Sequence, residues 1–472
     1  MQKSSIVVLA TAMLLAGPGR TVPAAEKASV EVVDLALHAA TETRPALKYK
    51  LLPTMLDEVP GDAAPLYMKA FLVLTQKKTG DKLWDKIVAW VRTPPGKLPR
   101  EEVRKTLDGF ADVLREVEIA SRRTECDWAL PIREHENVFG ILLPELQSAR
   151  SIGRLVAVRA RLAIAEGKHD EAIGSLRVGF ALARHVAEQP TLVSGLVGLA
   201  IVQMMAEQLE ALVQSPGAPN LYWTLTALPH PMVDLQKGFR LEGATVYLMF
   251  PGLQEARQSG HSPEYWQAQW NDIFSKCMLL CETAVQKSPL RPKPGELLQK
   301  AYPIARRELI ARGRPEKEVD AMPPARAVLL HVAETYDELR DETFKWFHLP
   351  YWQAEKGVRA AEKRLAATDK ELEVVPLASL LLPAVGGAQF HVAAAERRLA
   401  ALRCIEAIRL YAAGHQGKLP ESLADIANVP IPDNPVTGKP FEYRCEGGTA
   451  VLTASGGPND RPRREYRIRM VK

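Results

Sequence analysis

The side chains able to do chemistry are thinly spread along this chain. The densest polar group holding a histidine is Arg133-Glu134-His135-Glu136. Carboxylates beside an imidazole raise its basicity and could make an acid–base unit; the same residues also suit a solvated helix start or loop. Cys277 and Cys281 lie one helical turn apart. That spacing fits same-face core packing, a bridge or half a metal site, but neither a histidine nor a second cysteine pair lies near enough in sequence to complete a zinc tetrad. Arg340, Trp346 and Trp352 could form a ligand groove, because guanidinium and indole groups are frequent binding anchors. The tryptophans equally suit core packing, and Asp341 with Lys345 at i, i+4 reads as a surface ion pair. Cys404 on a helix and Cys445 at a strand end could bridge, or remain as two buried thiols.

Several chemistries have no support in the spacing. There is no Gly-rich dinucleotide or phosphate loop, no nucleophile elbow, no His-Glu-x-x-His helix and no pair of Cys-x-x-Cys clamps. No motif calls for a cofactor. Five cysteines in 472 residues do not make a disulfide scaffold.

The elements that must position these residues follow from an N-terminal address and a helical body. Lys3, the apolar run Ile6 to Ala16, the breakers Gly17-Pro18-Gly19 and the small residues of Val22-Pro23-Ala24-Ala25 predict a signal peptide over 1–25. An uncleaved anchor is the alternative, although the run is short of the ~20 apolar residues that span a bilayer. Loss of Lys3 and Arg20 lowers the formal charge from +5 to +3, so no nucleic-acid footprint is indicated.

Residues 26–215 read as helical hairpins. Apolar residues at three- and four-residue spacing predict helices over 46–52, 63–75, 81–92 and 100–121, punctuated by Pro53, Pro60-Gly61 and Pro94-Pro95-Gly96. The clearest hairpin runs from Ser151 to Glu188. Its first helix ends at Glu166-Gly167-Lys168 and its second carries the stripe Ile173, Leu176, Phe180, Ala183. Gly167 to Ile173 reproduces Gly-x-x-x-Glu-Ala-Ile, and the hairpin resembles a tetratricopeptide repeat, with Gly179 as the small residue and the closing proline displaced to Pro190. The uncharged stretch Gln189 to Ala206 could be a membrane segment; Ser194, Gly195, Gly198 and Gln203 favour a buried central helix. Residues 216–375 form an aromatic-rich, proline-interrupted helical segment.

Residues 376–472 change character. A long helix over 396–413, capped by Gly414, leads through Leu419-Pro420 and Asp433-Asn434-Pro435-Val436-Thr437-Gly438-Lys439-Pro440 to three strand-like runs: Phe441-Tyr443-Cys445, Thr449 to Ala454, and Glu465 to Val471. In the last, Tyr466, Ile468 and Met470 alternate with Arg467 and Arg469, predicting one core face and one basic face. The layout resembles the globular domain of type II secretion pseudopilins, with Asn434 inserted and Val436 where the family has an aromatic. That resemblance implies one helix packed on a three-stranded antiparallel sheet. In some members the loop before the last strand holds calcium, and the matching residues here are Ser455, Asn459 and Asp460. The family's methylated N-terminal helix has no counterpart, so fibre assembly is not implied.

The expected fold is mainly α, an irregular array of helical hairpins with a small C-terminal α+β module. The expected function is an exported, non-catalytic binding or scaffold protein of the bacterial periplasm or cell envelope with an envelope protein partner. No transmembrane span is expected after signal cleavage. The alternatives are an envelope enzyme or glycan-binding protein using the aromatic region 216–370, and a secretion-associated component.

Overall fold

The structure is a computed structural model that describes residues 30–77, 79–132, 134, 143–258, 260–284, 293–368, 377, 382–456 and 463–471. The fold is mainly helical with a small sheet, and it divides into two units. One comprises the described residues of 131–142 and 239–387; the other gathers the described residues of 30–130, 143–238 and 388–471.

The larger unit is built on helices α1 (Ala64–Gln76), α2 (Asp81–Trp90), α3 (Arg100–Asp108), α4 (Ala111–Ala120), α5 (Pro144–Ala165), α6 (His169–Ala187) and α7 (Leu192–Leu212). The helix expected over 100–121 is broken at Gly109-Phe110, where Phe110 leaves helical geometry at φ −113°, ψ 13°. The helix expected over 46–52 is absent: Pro45 and Pro53 bracket a stretch of turns and bends. The α5–α6 turn forms as the sequence predicts. Gly167 takes φ +72°, its N–H donates to the Ile164 carbonyl and that of Lys168 to Ala163, the paired bonds of a Schellman cap.

Helix α7 is long and apolar enough to cross a membrane, yet 67% of that window is buried inside the protein. It packs against α5 and α6. Its glycines permit the approach: a Cβ on Gly198 would stand 2.6 Å from the Ala183 carbonyl oxygen. Burial as a central core helix accounts for its lack of charge.

The C-terminal strands β6 (Glu442–Glu446), β7 (Thr449–Ala454) and β8 (Arg463–Val471) are antiparallel. A fourth strand, β1 (Val30–His38), adds in parallel to β8, giving the order β1-β8-β7-β6. Strand β1 lies within 26–215, the stretch expected to hold helical hairpins. It escaped that expectation because its alternation is confined to Leu35 and Leu37, while Val30 and Val32 are exposed. Leu35, Leu37, Ala450, Leu452, Tyr466 and Ile468 make the buried inner face. Short strand pairs β2 (Val59–Asp62) with β3 (Arg123–Glu125) and β4 (Asp433–Asn434) with β5 (Lys439–Pro440) complete the described strands. A five-residue helix, α8 (Tyr222–Thr226), precedes the second unit.

The second unit contains most of α9 (Gln236–Met249), then α10 (Pro251–Glu255), α11 (Pro263–Ala284), α12 (Pro294–Ala311), α13 (Glu316–Asp320), α14 (Pro324–Phe344) and α15 (Tyr351–Thr368). Its frequent prolines open helices α10, α11, α12 and α14, where a missing N–H costs nothing. Trp266, Trp270 and Tyr336 are fully buried in its core, and the Trp270 indole N–H donates to the Pro294 carbonyl at 2.9 Å. Helix α16 (Pro383–Gly414) follows and carries the buried residues Leu399, Leu402, Ile405 and Ile408.

Candidate functional site

The residues singled out from sequence fall in different places. Arg340 is held by Asp337 at 2.8 Å and Asp341 at 2.9 Å, with its guanidinium 5.7 Å from the Tyr336 ring centroid. Lys345 pairs with Glu342 at 2.8 Å rather than with Asp341, which Arg340 has taken. The Trp346 indole lies against Gly357 of α15, where any Cβ would come within 2.2 Å of the ring. Trp352 is 46% exposed. Of the proposed calcium ligands, Ser455 donates to Glu442 Oε1 at 3.3 Å; Asn459 and Asp460 lie outside the described residues. So do His135 and Glu136, and the side chain of Cys281. Cys404 and Cys445 are both free thiols, so the bridge between them is absent; Cys404 is fully buried in α16. In β8, Tyr466 and Ile468 are buried and Arg467 and Arg469 exposed, while Arg464 turns inward.

That inward arginine belongs to a constellation the sequence did not bring together. A groove of about 980 Å³ lies beside β1 in the larger unit, with walls from β1, the Pro94–Arg100 segment, the end of α5 and the last turns of α7. Its floor is an ionic lock. Glu210 of α7 receives two bonds from Arg398 of α16, at 2.9 and 2.7 Å, the bidentate geometry that guanidinium and carboxylate favour. The Tyr466 hydroxyl donates to the same carboxylate at 2.8 Å, and Arg464 reaches it at 3.4 Å while pairing with Glu31 of β1 at 2.7 Å. Burial alone would push the Glu210 carboxyl up; Arg398, Arg464 and the tyrosine hydroxyl more than offset that and hold it below the usual carboxylate range. Burial raises the Tyr466 phenol, and the Glu210 charge adds to the rise.

A second buried guanidinium, Arg161 of α5, bonds only neutral oxygens: Gln208 Oε1 at 2.7 Å and the carbonyls of Thr93 at 2.8 Å and Glu207 at 3.3 Å. Burial brings its pKa down to about 10. At the rim, Arg92 meets Glu207 at 3.2 Å with four-fifths of its side chain exposed. Arg100, at the start of α3, and Asp34, on β1, are exposed and have no ionic partner among the described residues. Glu166 is neutralised by Arg104 and Lys168. The floor's buried charges are therefore held within the protein, by one another or by neutral oxygens, with Arg464 Nε left without a hydrogen-bond partner among the described residues, while the rim offers charge to a ligand. The signal that could have found the floor was a pair of carboxylates, Glu207 and Glu210, in the last turns of a helix uncharged up to them, and an arginine pair, Arg397-Arg398, on a helix that is buried at both positions.

A deeper fixture joins the same elements. Arg409 and Glu406 of α16 pair at 3.0 Å, both fully buried. Arg409 donates to the carbonyls of His38 at 2.9 Å and Ala218 at 2.8 Å, and Asn220 donates to Glu406 at 2.7 Å. The end of β1 is thus tied to α16.

A smaller cavity of about 390 Å³ brings Cys126 and His185 to one lining. It does not assemble a nucleophile and base. Burial pushes the Cys126 thiol up, and the carboxylates of Asp62, Glu188 and Asp127 push it further, whereas a reactive cysteine needs an electropositive setting. His185 Nδ1 shares a 2.9 Å hydrogen bond with the Tyr67 hydroxyl, and burial lowers its pKa to about 4. Among the described residues no group of three or more His, Cys, Asp or Glu side chains could hold a metal ion.

Compared with known proteins, the chain matches no family model, no curated protein and no solved structure.

Proposed function

We propose that this chain is an exported, non-catalytic binding or scaffold protein of the bacterial envelope, and that the groove beside β1 is where it takes its partner. One observation carries the reading: the groove's buried charged groups are bonded within the protein, Glu210 to Arg398 and Tyr466 and Arg161 to neutral oxygens, while its rim keeps Arg100 and Asp34 without ionic partners among the described residues. A catalytic cleft needs a nucleophile, acid or base with free valence and a matched pKa. A binding cleft needs a rigid floor and exposed groups around it. Export rests on the signal-like residues 1–25, and the scaffold role on the hairpin Ser151 to Glu188. The glycan-binding alternative draws less support, because Trp266 and Trp270 are consumed by the core of their unit.

A photo-crosslinking amino acid placed at position 100 tests this against one at position 56, where Leu56 is 99% exposed and remote in sequence from the groove lining. Defined adducts from position 100 alone are expected in envelope preparations. Equal adducts from both positions, or none from position 100, would overturn the assignment.

A further inference from the structure

The free side of β1 borders the groove, and its hydrogen-bonding groups are only half used. Strand β1 stands at the edge of the sheet, paired on one side with β8. Along a strand, the N–H and C=O of alternate residues face the same side. The Ala36 N–H faces away from β8 and donates to Gln214 Oε1 at 3.3 Å; the His38 carbonyl faces the same way and accepts from Arg409 at 2.9 Å. The far half of this edge is thus closed by Gln214, just beyond α7, and by Arg409 of α16. By the same parity the N–H and C=O of Val32 and Asp34 face that side, and among the described residues they have no partner. Both residues line the groove. An open edge of this kind is a template for another strand, and proteins ordinarily cover or blunt it.

The charge around this edge favours one kind of occupant. Arg398 and Arg464 are cancelled by Glu210 and Glu31, and Arg92 by Glu207. Arg161 bonds only neutral oxygens, and Arg100 stands free against the single carboxylate of Asp34. The five arginines and five carboxylates of the lining balance formally, but Glu166 is neutralised from outside it by Arg104 and Lys168, which leaves the lining's own arginines in excess by one. The open stretch of β1, residues 30–34, spans about 16 Å at strand rise, the length of a short extended peptide rather than of a helix face.

From this juxtaposition we infer that the groove takes an extended, carboxylate-bearing peptide segment of a protein partner, which adds as a fifth strand outside β1. Backbone bonds to Val32 and Asp34 give the docking, and Arg100 selects an acidic side chain. This deepens the binding-site reading above and rests on it.

The test uses the full chain and three acetylated, amidated hexapeptides: one alternating valine with glutamate, one alternating valine with lysine, and the glutamate peptide N-methylated at alternate amides on one edge. Affinity is followed by titration calorimetry, and protection of the Val32 and Asp34 amides by hydrogen exchange. The glutamate peptide is expected to bind and to slow exchange at both amides. N-methylation and Val32→Pro should each weaken it about tenfold, the effect of losing a strand bond. Val32→Pro deletes an N–H that the fold does not use, at an edge where proline is tolerated. Arg100→Glu should reverse the preference between the glutamate and lysine peptides, which guards against misfolding of the proline variant. If the glutamate peptide binds with the same affinity to Val32→Pro and after N-methylation, strand addition is overturned while the groove stands as the binding site. If no peptide binds, or if the two amides are protected by self-association without peptide, the proposed occupant is overturned. If crosslinking from position 100 also fails, the groove reading falls with it.

Discussion

Replacing Glu210 by glutamine should be among the most damaging isosteric changes in the protein. The carboxylate is nearly buried and receives Arg398 through two bonds, Tyr466 through one and Arg464 at 3.4 Å. Glutamine keeps the shape, removes the negative charge and turns an N–H₂ group toward a guanidinium. Arg398, whose side chain is 6% exposed, would then retain only Glu207 as an ionic partner, at 3.7 Å. Removing one partner of a buried pair costs about 3–5 kcal/mol, because the other charge stays desolvated. At about 2 °C per kcal/mol for a unit of this size, the transition should fall by about 6–10 °C. Urea and thermal unfolding followed by circular dichroism would read both quantities. Glu210→Leu combined with Arg398→Met should recover most of the loss, since an apolar replacement of the whole pair is often neutral. The pH dependence has a definite sign. The folded carboxyl titrates below its unfolded value of about 4.3, so its contribution is full above that pH and is lost as pH falls through the lower folded value. The gap between wild type and Glu210→Gln should therefore close in acid. A Glu210→Gln variant within about 1 kcal/mol of wild type at pH 7 would refute the lock as a structural element.

Three other outcomes are expected. Gly198→Ala should destabilise by about 1–2 kcal/mol in chemical denaturation despite alanine's better helix propensity, because the new methyl meets the Ala183 carbonyl oxygen at 2.6 Å; a stabilised variant would show that α6 and α7 can move apart freely. His185 is held neutral with its pKa lowered to about 4, so the folded state binds fewer protons than the unfolded one, and stability should drop by about 2–3 kcal/mol as pH falls from 6.5 to 4; in His185→Gln that part of the slope should vanish. Thiol labelling of the native protein should modify half-buried Cys445 and spare Cys404 until unfolding, with no disulfide between them in non-reducing peptide mapping; a linked 404–445 peptide would contradict the packing of α16.

What could be read from sequence was what depends on local periodicity. The Gly167 turn, the α5–α6 hairpin and the alternation of Tyr466 and Ile468 with Arg467 and Arg469 all announce themselves within one or two turns of chain. The candidate site did not, because each of its members is an ordinary residue in its own neighbourhood. Glu210 closes an apolar helix, Arg398 is one of several charged residues on a long helix, and Arg464 sits in a basic tail that reads as a solvated face. Only folding makes them one lock. Strand β1 was missed for a related reason. Its outer half is exposed and its pairing partner lies at the other end of the chain, so neither a local pattern nor a turn signal marked it. Conversely, the tryptophans of 216–370 look alike in composition but divide on folding: Trp266 and Trp270 fill a core, while Trp352, one of the two read as binding anchors, stays half exposed.

This distribution of contacts bears on how the C-terminal segment should be understood. Arg464 and Glu31 pair across 433 residues of sequence, and the strands that carry them lie side by side throughout their length. Pairing across so long a separation pays its loop-closure entropy before the contacts reward it, which slows folding. Until β8 is present, β1 has no strand partner and Glu210 has neither Tyr466 nor Arg464. The last strand therefore completes the helical unit rather than hanging from it. It also fixes β1 in place, and with it the open edge at Val32 and Asp34. A docking edge held at one end by Arg409 and along its length by β8 is rigid before any partner arrives, so less ordering entropy opposes binding there than at a free strand.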